Sequence, residues 1–283
     1  MTAPRDVVWA VLTEGSRALV TTRIEAPRLA HDFDVEASGW DLVGVPWYRP
    51  EGMVEAVTSL VGEGAHVLSD SSEFGEDVSD QIVLTRMVLS APERDEVRDL
   101  GHDVAVALDG AVASWVPGQS RDTEVAGELA RALFRVGALP VCLIVGGDER
   151  LRNLRHPLSV GEVVREAVMA VVVARRGGLH VAATRLAVAS EADPIIPLTR
   201  ELASVDDAVR AACVPGSTWG RAVEALEQGY RAIGREGAWA EHFQGGPIAF
   251  EQREFELAPG RGESPFWNRP CEVGCAVAWN PSL

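Results

Sequence analysis

Three short motifs occur twice in this sequence, in the same order and about one hundred residues apart. The pairs, with offsets of 98, 100 and 99 residues, are Val116-Pro117-Gly118 with Val214-Pro215-Gly216, Gly137-Ala138 with Gly237-Ala238, and Gly146-Gly147 with Gly245-Gly246. Self-similarity at a fixed offset indicates a repeated architecture. We therefore predict two α+β halves that face each other about a pseudo-twofold axis, with a pocket between them.

Local signals predict the elements around these motifs. Ser90 and Glu93 form a capping box with Pro92 in the first helical turn, which predicts a helix that runs towards Trp115. The further predicted elements are a helix over 123–136, a strand over 140–145, a buried central strand that continues without charge from Ala167 to Ala174, its return strand over 179–188, a helix over 198–212, and a helix from a Ser217 cap to about Gly234.

The first part of the chain has a different pattern. Strand-like segments at 7–12 and 18–22 flank a turn and predict a hairpin, and 53–61 has the apolar spacing of an amphipathic helix. Residues 66–68 are a candidate short strand. The acidic stretch 70–80 is typical of a solvated loop. We predict a small α/β domain over residues 1–85 and a second domain over residues 86–283.

Composition excludes several classes of partner. With 26 basic and 42 acidic residues, the formal charge of −16 repels nucleic acid and anionic lipid. No apolar run is long enough to span a bilayer, and the first twelve residues lack the apolar centre of a signal peptide, so we expect a cytoplasmic protein. Four cysteines are too few for a disulfide framework, Cys271 and Cys275 lack the additional partners of a zinc site, and no motif indicates a cofactor.

The segment Trp239–Glu254 has the greatest density of reactive side chains. Gly245 and Gly246 allow a close backbone approach, and the sequence from Ile248 onwards becomes alternating, which predicts a strand. Two interpretations remain open: a pocket to which this strand brings side chains, or a hairpin with solvated charges.

Several of these segments resemble the pita-bread metallopeptidases, the family of Xaa-Pro aminopeptidase, prolidase, creatinase and methionine aminopeptidase. The segments that carry the resemblance are the entry at 85–93, the two Pro-Gly breaks, Arg155-His156-Pro157, Thr184-Arg185, Gly245-Gly246-Pro247-Ile248 and Trp279-Asn280-Pro281. The resemblance implies the pita-bread fold for residues 86–283, and for residues 1–85 a shortened form of the N-terminal domain found in the prolidase branch.

The same resemblance identifies departures at the metal positions. The two metal-binding aspartates would fall at Val171 and Ala182, the metal-binding histidine at Gly246 and the first glutamate at Asn280, and the sequence ends before the second glutamate segment. Since none of these four side chains is a ligand of the required kind, the resemblance implies a divergent member without metal, and the family's two-metal hydrolysis is rejected.

By the same resemblance, polar side chains line the emptied pocket. We expect His242, Glu254 and His156 to be catalytic, with substrate contacts from His180, Glu241, Gln244, Arg253 and Asn280. Histidine and glutamate can exchange protons near neutral pH, and arginine can bind a carboxylate. His242 is the expected acid or base, oriented by a carboxylate, with Glu254 favoured.

This set predicts a metal-independent, cofactor-free enzyme that acts on a small amino-acid- or peptide-derived substrate in biosynthesis, by isomerisation, elimination, cyclisation or hydrolysis. One alternative is a non-catalytic pseudopeptidase that binds a ligand or a protein. Another is that the histidines are structural and that Arg253 pairs with Glu254. The family resemblance and the aromatic residues Trp47 and Tyr48 also predict a homodimer.

Overall fold

The computed structural model describes residues 7–49, 51–62, 64–70 and 74–283. Its contacts divide the chain into two compact units, which meet between Ser79 and Asp80. This division lies at the start of the helix Ser79–Arg86, whereas the predicted domain boundary lies at its end. Part of the predicted acidic loop, residues 71–73, is outside the described residues.

The first unit is a three-stranded sheet with two helices. Its elements are β1 (Val8–Leu12), β2 (Arg17–Thr22), α1 (Ala26–Phe33), β3 (Asp41–Val45), α2 (Glu51–Val61), and the two short strands β4 (Leu68–Ser69) and β5 (Glu76–Asp77). Strands β1 and β2 form the predicted antiparallel hairpin, and β3 pairs parallel to β2 after the α1 crossover. Val11, Val20 and Val57 form its core, so α2 uses the predicted apolar face.

The second unit begins at Asp80, within α3 (Ser79–Arg86), and then contains the first of the two halves. This half comprises α4 (Ala91–Ala113), α5 (Asp122–Arg135), β6 (Leu139–Gly147), α6 (Asp148–Asn153), β7 (Ala167–Arg176) and β8 (Leu179–Val188). Ser90 N–H donates to Glu93 Oε2 at 2.7 Å, which is one arm of the predicted capping box. The antiparallel sheet has the order β6-β7-β8, and the apolar stretch read as a central strand is β7.

One face of this sheet is covered by α4 and α5. Leu100 and Leu129 of the helices pack with Val172 of β7 in one core. Because side chains alternate along a strand, Val171 and Ala182 lie together on the opposite face.

The second half repeats the helices but has much less sheet. It contains α7 (Ile195–Ala212), α8 (Trp219–Ala232), a 3-10 turn (Ala238–Glu241), β9 (Gly245–Pro247) and β10 (Val277–Trp279). Gly118 and Gly216, in the two Pro-Gly breaks, have φ of +75° and +90°, and Gly137 and Gly237 have φ of +71° and +83°. The third pair differs, because Gly147 in the first copy has an extended backbone with φ of −143°, whereas both glycines of the second copy have positive φ, which is +99° at Gly245. The helix pairs and the glycine motifs nevertheless recur in the predicted order, which confirms the two pseudo-twofold α+β halves.

Two local predictions were wrong. The cap of α8 is Thr218, whose Oγ1 accepts the Arg221 N–H, and not Ser217. The strand in the Gly-Gly segment is Gly245–Pro247, and the chain from Ile248 onwards is irregular. The reason is a local loop: Glu254 N–H donates to the Pro247 carbonyl, and the Glu254 carboxylate accepts the N–H of Glu251, so these groups are not available to a sheet.

Within the described residues, no helix combines the length and the apolar character that a membrane crossing requires.

Candidate functional site

The candidate site lies where the two short strands of the second half pair. Trp279 of β10 is opposite Gly245 of β9, and Asn280 N–H donates to the Gln244 carbonyl at 3.1 Å. Gly245 has φ of +99°, and a Cβ there would lie 2.0 Å from the Ala278 carbonyl oxygen. Glycine at this position thus permits the strand pairing that brings Asn280 beside His242.

His242 and His156 face each other across this site. Their Nε2 atoms are 3.0 Å apart. His242 Nδ1 lies 2.6 Å from the Phe243 carbonyl oxygen, which can only accept, so Nδ1 carries the hydrogen and the neutral ring presents Nε2 as an acceptor. His156 Nε2–H is therefore the donor. Asn280 Nδ2 lies 3.3 Å from His242 Nδ1, but it does not donate to this nitrogen, because Nδ1 carries the hydrogen that is given to the Phe243 carbonyl.

The environment of His242 favours its neutral form. Burial is the largest cause of a pKa below the usual value of 6.5, and the positive charges of His156, Arg155 and Arg253 lower it further. The hydrogen bond to the Phe243 carbonyl opposes this shift. At neutral pH, His242 can therefore accept a proton, while the ring of His156 is exposed to solvent.

The two arginines are paired with acids. Arg155 forms an ion pair with Glu241. Arg253 lies 2.5 Å from Glu256 Oε2, and its guanidinium stacks 4.9 Å from the centre of the Phe243 ring. The alternative in which Arg253 pairs with Glu254 is therefore wrong.

Glu254 occupies a different environment from the one predicted. Its side chain is fully buried, accepts from Arg86 Nε at 2.6 Å and accepts from Glu251 N–H at 3.0 Å. The expectation that Glu254 orients His242 is corrected, because its carboxylate is bonded to Arg86 and the orienting group of His242 is the Phe243 carbonyl.

Gln244 is buried with its amide fully used. Its Nε2 donates to the carbonyls of Trp239 and His242 at 2.9 and 2.8 Å, and its Oε1 lies 3.0 Å from the Tyr230 hydroxyl. The Tyr230 hydroxyl also accepts the Ser282 N–H at 2.7 Å. This network stabilises the backbone that carries His242, and it leaves Gln244 without a free amide group for a ligand.

Within the part of the chain that the structure describes, no hydrogen bond joins His180 to His156 or His242. It is buried, and its Nδ1 lies 3.2 Å from the Ala249 carbonyl oxygen. Burial lowers its pKa, and Arg175 adds to this effect. Its contacts are those of a core histidine.

The four positions at which the family resemblance places metal ligands do not offer the side chains of a two-metal centre. Val171 and Ala182 present aliphatic side chains on the same face of the sheet, opposite Thr184 and Val173 respectively. Gly246 has no side chain, and Asn280 has a neutral amide that contacts His242. Among the described residues, no three His, Cys, Asp or Glu side chains form a group that could hold a metal ion.

Sequence reasoning did not find Arg86, Tyr230 or Phe243. Phe243 follows His242 directly in the sequence, and this adjacency could have identified Phe243 as a residue of the site. No spacing could link Arg86 to Glu254, since they are 168 positions apart.

Three surface cavities of about 430, 610 and 460 Å³ are lined by other residues than His156 and His242.

No family model and no curated protein matches this sequence. Solved structures do resemble it. X-Pro aminopeptidase from Thermotoga maritima superposes with a TM-score of 0.71 at 14% identity, over 95% of this chain and 87% of that chain. The chain has the pita-bread fold.

Two further pita-bread structures show the range of proteins that share this architecture. Dipeptidase PepE from Mycobacterium ulcerans has a TM-score of 0.71 at 20% identity, over 95% of this chain and 76% of that chain. The N-terminal domain of the FACT complex subunit SPT16 from chickpea has a TM-score of 0.67 at 13% identity, over 95% and 73%. Peptidases and a domain of a complex subunit therefore share this pita-bread fold.

Proposed function

We propose that this chain is a metal-independent enzyme that acts on a small amino-acid- or peptide-derived molecule by acid/base chemistry. The observation that supports this proposal is the His156–His242 pair, in which a donor Nε2–H faces an acceptor Nε2 at 3.0 Å. When the exposed ring of His156 rotates away from His242, a substrate can enter between the two rings. It then meets a proton donor, His156, on one side and a proton acceptor, His242, on the other.

The proposed chemistry follows from which of the two Nε2 atoms carries a hydrogen. Neutral His242, held by the Phe243 carbonyl, removes a proton at Nε2, and His156 delivers a proton to the atom on which charge develops. Isomerisation, elimination, cyclisation and hydrolysis all use such a couple. Arg155 and Arg253 supply positive charge near a substrate carboxylate, provided that it competes with Glu241 and Glu256.

A second candidate function is a pseudopeptidase that binds without turnover. The observation in its favour is the internal pairing of both arginines and of the Gln244 amide, which leaves few groups free for catalysis. The shared fold with a domain of a complex subunit is compatible with a protein partner.

One experiment distinguishes the two candidates. The full chain is incubated with a library of amino acids, N-substituted amino acids and dipeptides, and each mixture is followed by mass spectrometry and by thermal shift. The enzyme proposal expects a product whose formation falls on the order of a hundredfold in His242→Ala and in His156→Ala.

His31→Ala is the matched control, because its ring is exposed and lies in the other unit. Thermal shifts that depend on His156 and His242 without any product would contradict the enzyme and support the binding module. Products formed equally by His242→Ala would contradict the role of the histidine pair.

A further inference from the structure

Three of the four cysteines converge in the second half of the larger unit. Cys213 ends α7, while Cys271 and Cys275 belong to the segment before β10. The sulfur atoms of Cys213 and Cys271 are 3.9 Å apart, although the residues are 58 positions apart in sequence. All three cysteines pack in one apolar cluster, and Cys142 is on β6 in the other half.

The backbone on both sides of this sulfur pair is held in place. Cys213 N–H donates to the Val209 carbonyl at 2.9 Å, and Cys271 N–H donates to the Ser217 carbonyl at 2.8 Å. The residues Thr218 and Pro270 form a further bridge between the two segments. A disulfide requires a sulfur separation of about 2.05 Å, so side-chain rotation with a small backbone adjustment would bring the two atoms to bonding distance.

The two thiols differ in reactivity. Cys213 is partly exposed, and its pKa is lowered first by the hydrogen bond from the Cys271 thiol and then by the indole of Trp279, against the effect of burial. The buried Nε1 of Trp279 has no hydrogen-bond partner at bonding distance among the described residues, so its N–H is free to stabilise a thiolate. Cys271 is buried, and donation to Cys213 and burial raise its pKa.

We propose that Cys213 and Cys271 form a peroxide-reactive dithiol, with Cys213 as the attacking cysteine and Cys271 as the resolving cysteine. The co-reactant is a hydroperoxide. The Cys213 thiol first releases its proton to solvent, and the thiolate attacks the terminal peroxide oxygen. The O–O bond breaks, a sulfenic acid forms on Cys213, and the leaving alkoxide takes up a proton from solvent to give an alcohol, or water when the oxidant is hydrogen peroxide.

In the second step, Cys271 attacks the sulfenic sulfur. The S–S bond forms, the S–O bond breaks, and the hydroxyl leaves as water with the proton of the Cys271 thiol. The two sulfurs together lose two electrons, which reduce the peroxide. The burial that raises the pKa of Cys275 to about 11 makes it a poorer nucleophile than Cys213.

The experiment uses the reduced full chain and one equivalent of hydrogen peroxide. Intact mass spectrometry should show a loss of about 2 Da, and digestion without reductant should yield one peptide pair that joins Cys213 to Cys271. Because the bond links α7 to the β10 segment, the oxidised chain should melt at least about 3 °C above the reduced chain.

Four single variants assign the roles. Cys271→Ser should accumulate a sulfenic acid on Cys213 that dimedone traps, and Cys213→Ser should give neither dimedone adduct nor disulfide. Cys275→Ser and Cys142→Ser should form the disulfide as the wild type does. An unchanged wild-type mass, a Cys271–Cys275 link, or dimedone labelling of Cys271 would overturn the proposal, and the first two outcomes require no variant to fold.

Discussion

At the scale of single residues, Glu254 and Arg86 define how a charge is accommodated inside this protein. The Glu254 side chain is fully buried, whereas Arg86 is 32% exposed. The carboxylate has lost its hydration and depends on the guanidinium and on the N–H of Glu251. A buried ion of this kind is costly when its partner is removed, while replacement of both partners costs less.

We therefore expect Arg86→Met to lower the free energy of unfolding by about 3 kcal/mol, because it leaves the Glu254 carboxylate without its cation. The double variant Arg86→Met/Glu254→Gln should recover part of this loss. Urea denaturation measures both effects. Equal losses in the single and double variants would show that the ion pair is not what stabilises Glu254.

His180 makes stability depend on pH. Its pKa is below 6.5 in the folded chain because of burial, so the folded state binds fewer protons than the unfolded state between the two pKa values. Stability should therefore fall as the pH decreases below about 6.5, by at most about 1.4 kcal/mol per pH unit for this one group.

The corresponding variant is His180→Gln, whose amide can still donate to the Ala249 carbonyl. Its free energy of unfolding, measured at pH 7.5, 6.5 and 5.5, should decrease less at low pH than that of the wild type. His31→Gln, on an exposed helix end, provides the control. A steeper decrease in His180→Gln would contradict the direction of the shift.

At the scale of elements, the pairing of β9 with β10 decides where the histidine site forms. The two strands have only three residues each, and their contact requires the absence of a side chain at Gly245. The helices of this half, in contrast, are long and amphipathic, and α7 and α8 pack through a core that includes Val205, Val209 and Leu226. The site therefore depends on the two shortest elements of this half.

We expect Gly245→Ala to lower the free energy of unfolding by at least about 2 kcal/mol more than Gly237→Ala. Both glycines have positive φ, but a Cβ at residue 237 meets nothing within 4 Å, whereas a Cβ at residue 245 collides with the Ala278 carbonyl. The difference between the two variants in urea denaturation therefore measures the destabilisation that the collision at residue 245 causes. Equal losses would show that the strand pairing can shift to admit a methyl group.

At the scale of the whole molecule, the chain combines a pita-bread fold with positions that lack metal ligands. We expect elemental analysis of protein purified without chelators to show far less than one manganese, zinc or iron per chain, because Val171, Ala182, Gly246 and Asn280 offer no suitable donors. One or two metal ions per chain would contradict both the alignment and the proposed mechanism.

The assembly state is a second property of the whole molecule. Trp47 and Tyr48 are 66% and 67% exposed and contact each other edge to face. We predict that light scattering gives about twice the chain mass of 30.3 kDa, and that Trp47→Ser/Tyr48→Ser shifts this towards the monomer. Phe134→Ser, at another exposed aromatic residue, should remain dimeric. A monomeric wild type would refute the dimer.

Short segments of the sequence are enough to predict the elements with strong local signals and their repetition. The Ser90 capping box, the uncharged stretch Ala167–Ala174 of β7 and the twin Pro-Gly breaks at 117–118 and 215–216 all act through near neighbours, so their structures follow from short segments. The partners of the site residues, in contrast, are found only in the folded chain. The pairing of Glu254 with Arg86, of His242 with His156, and of Cys213 with Cys271 joins positions that are 168, 86 and 58 residues apart. Such contacts arise from how folded segments pack, and no local propensity or spacing encodes which distant charge, ring or thiol they bring together.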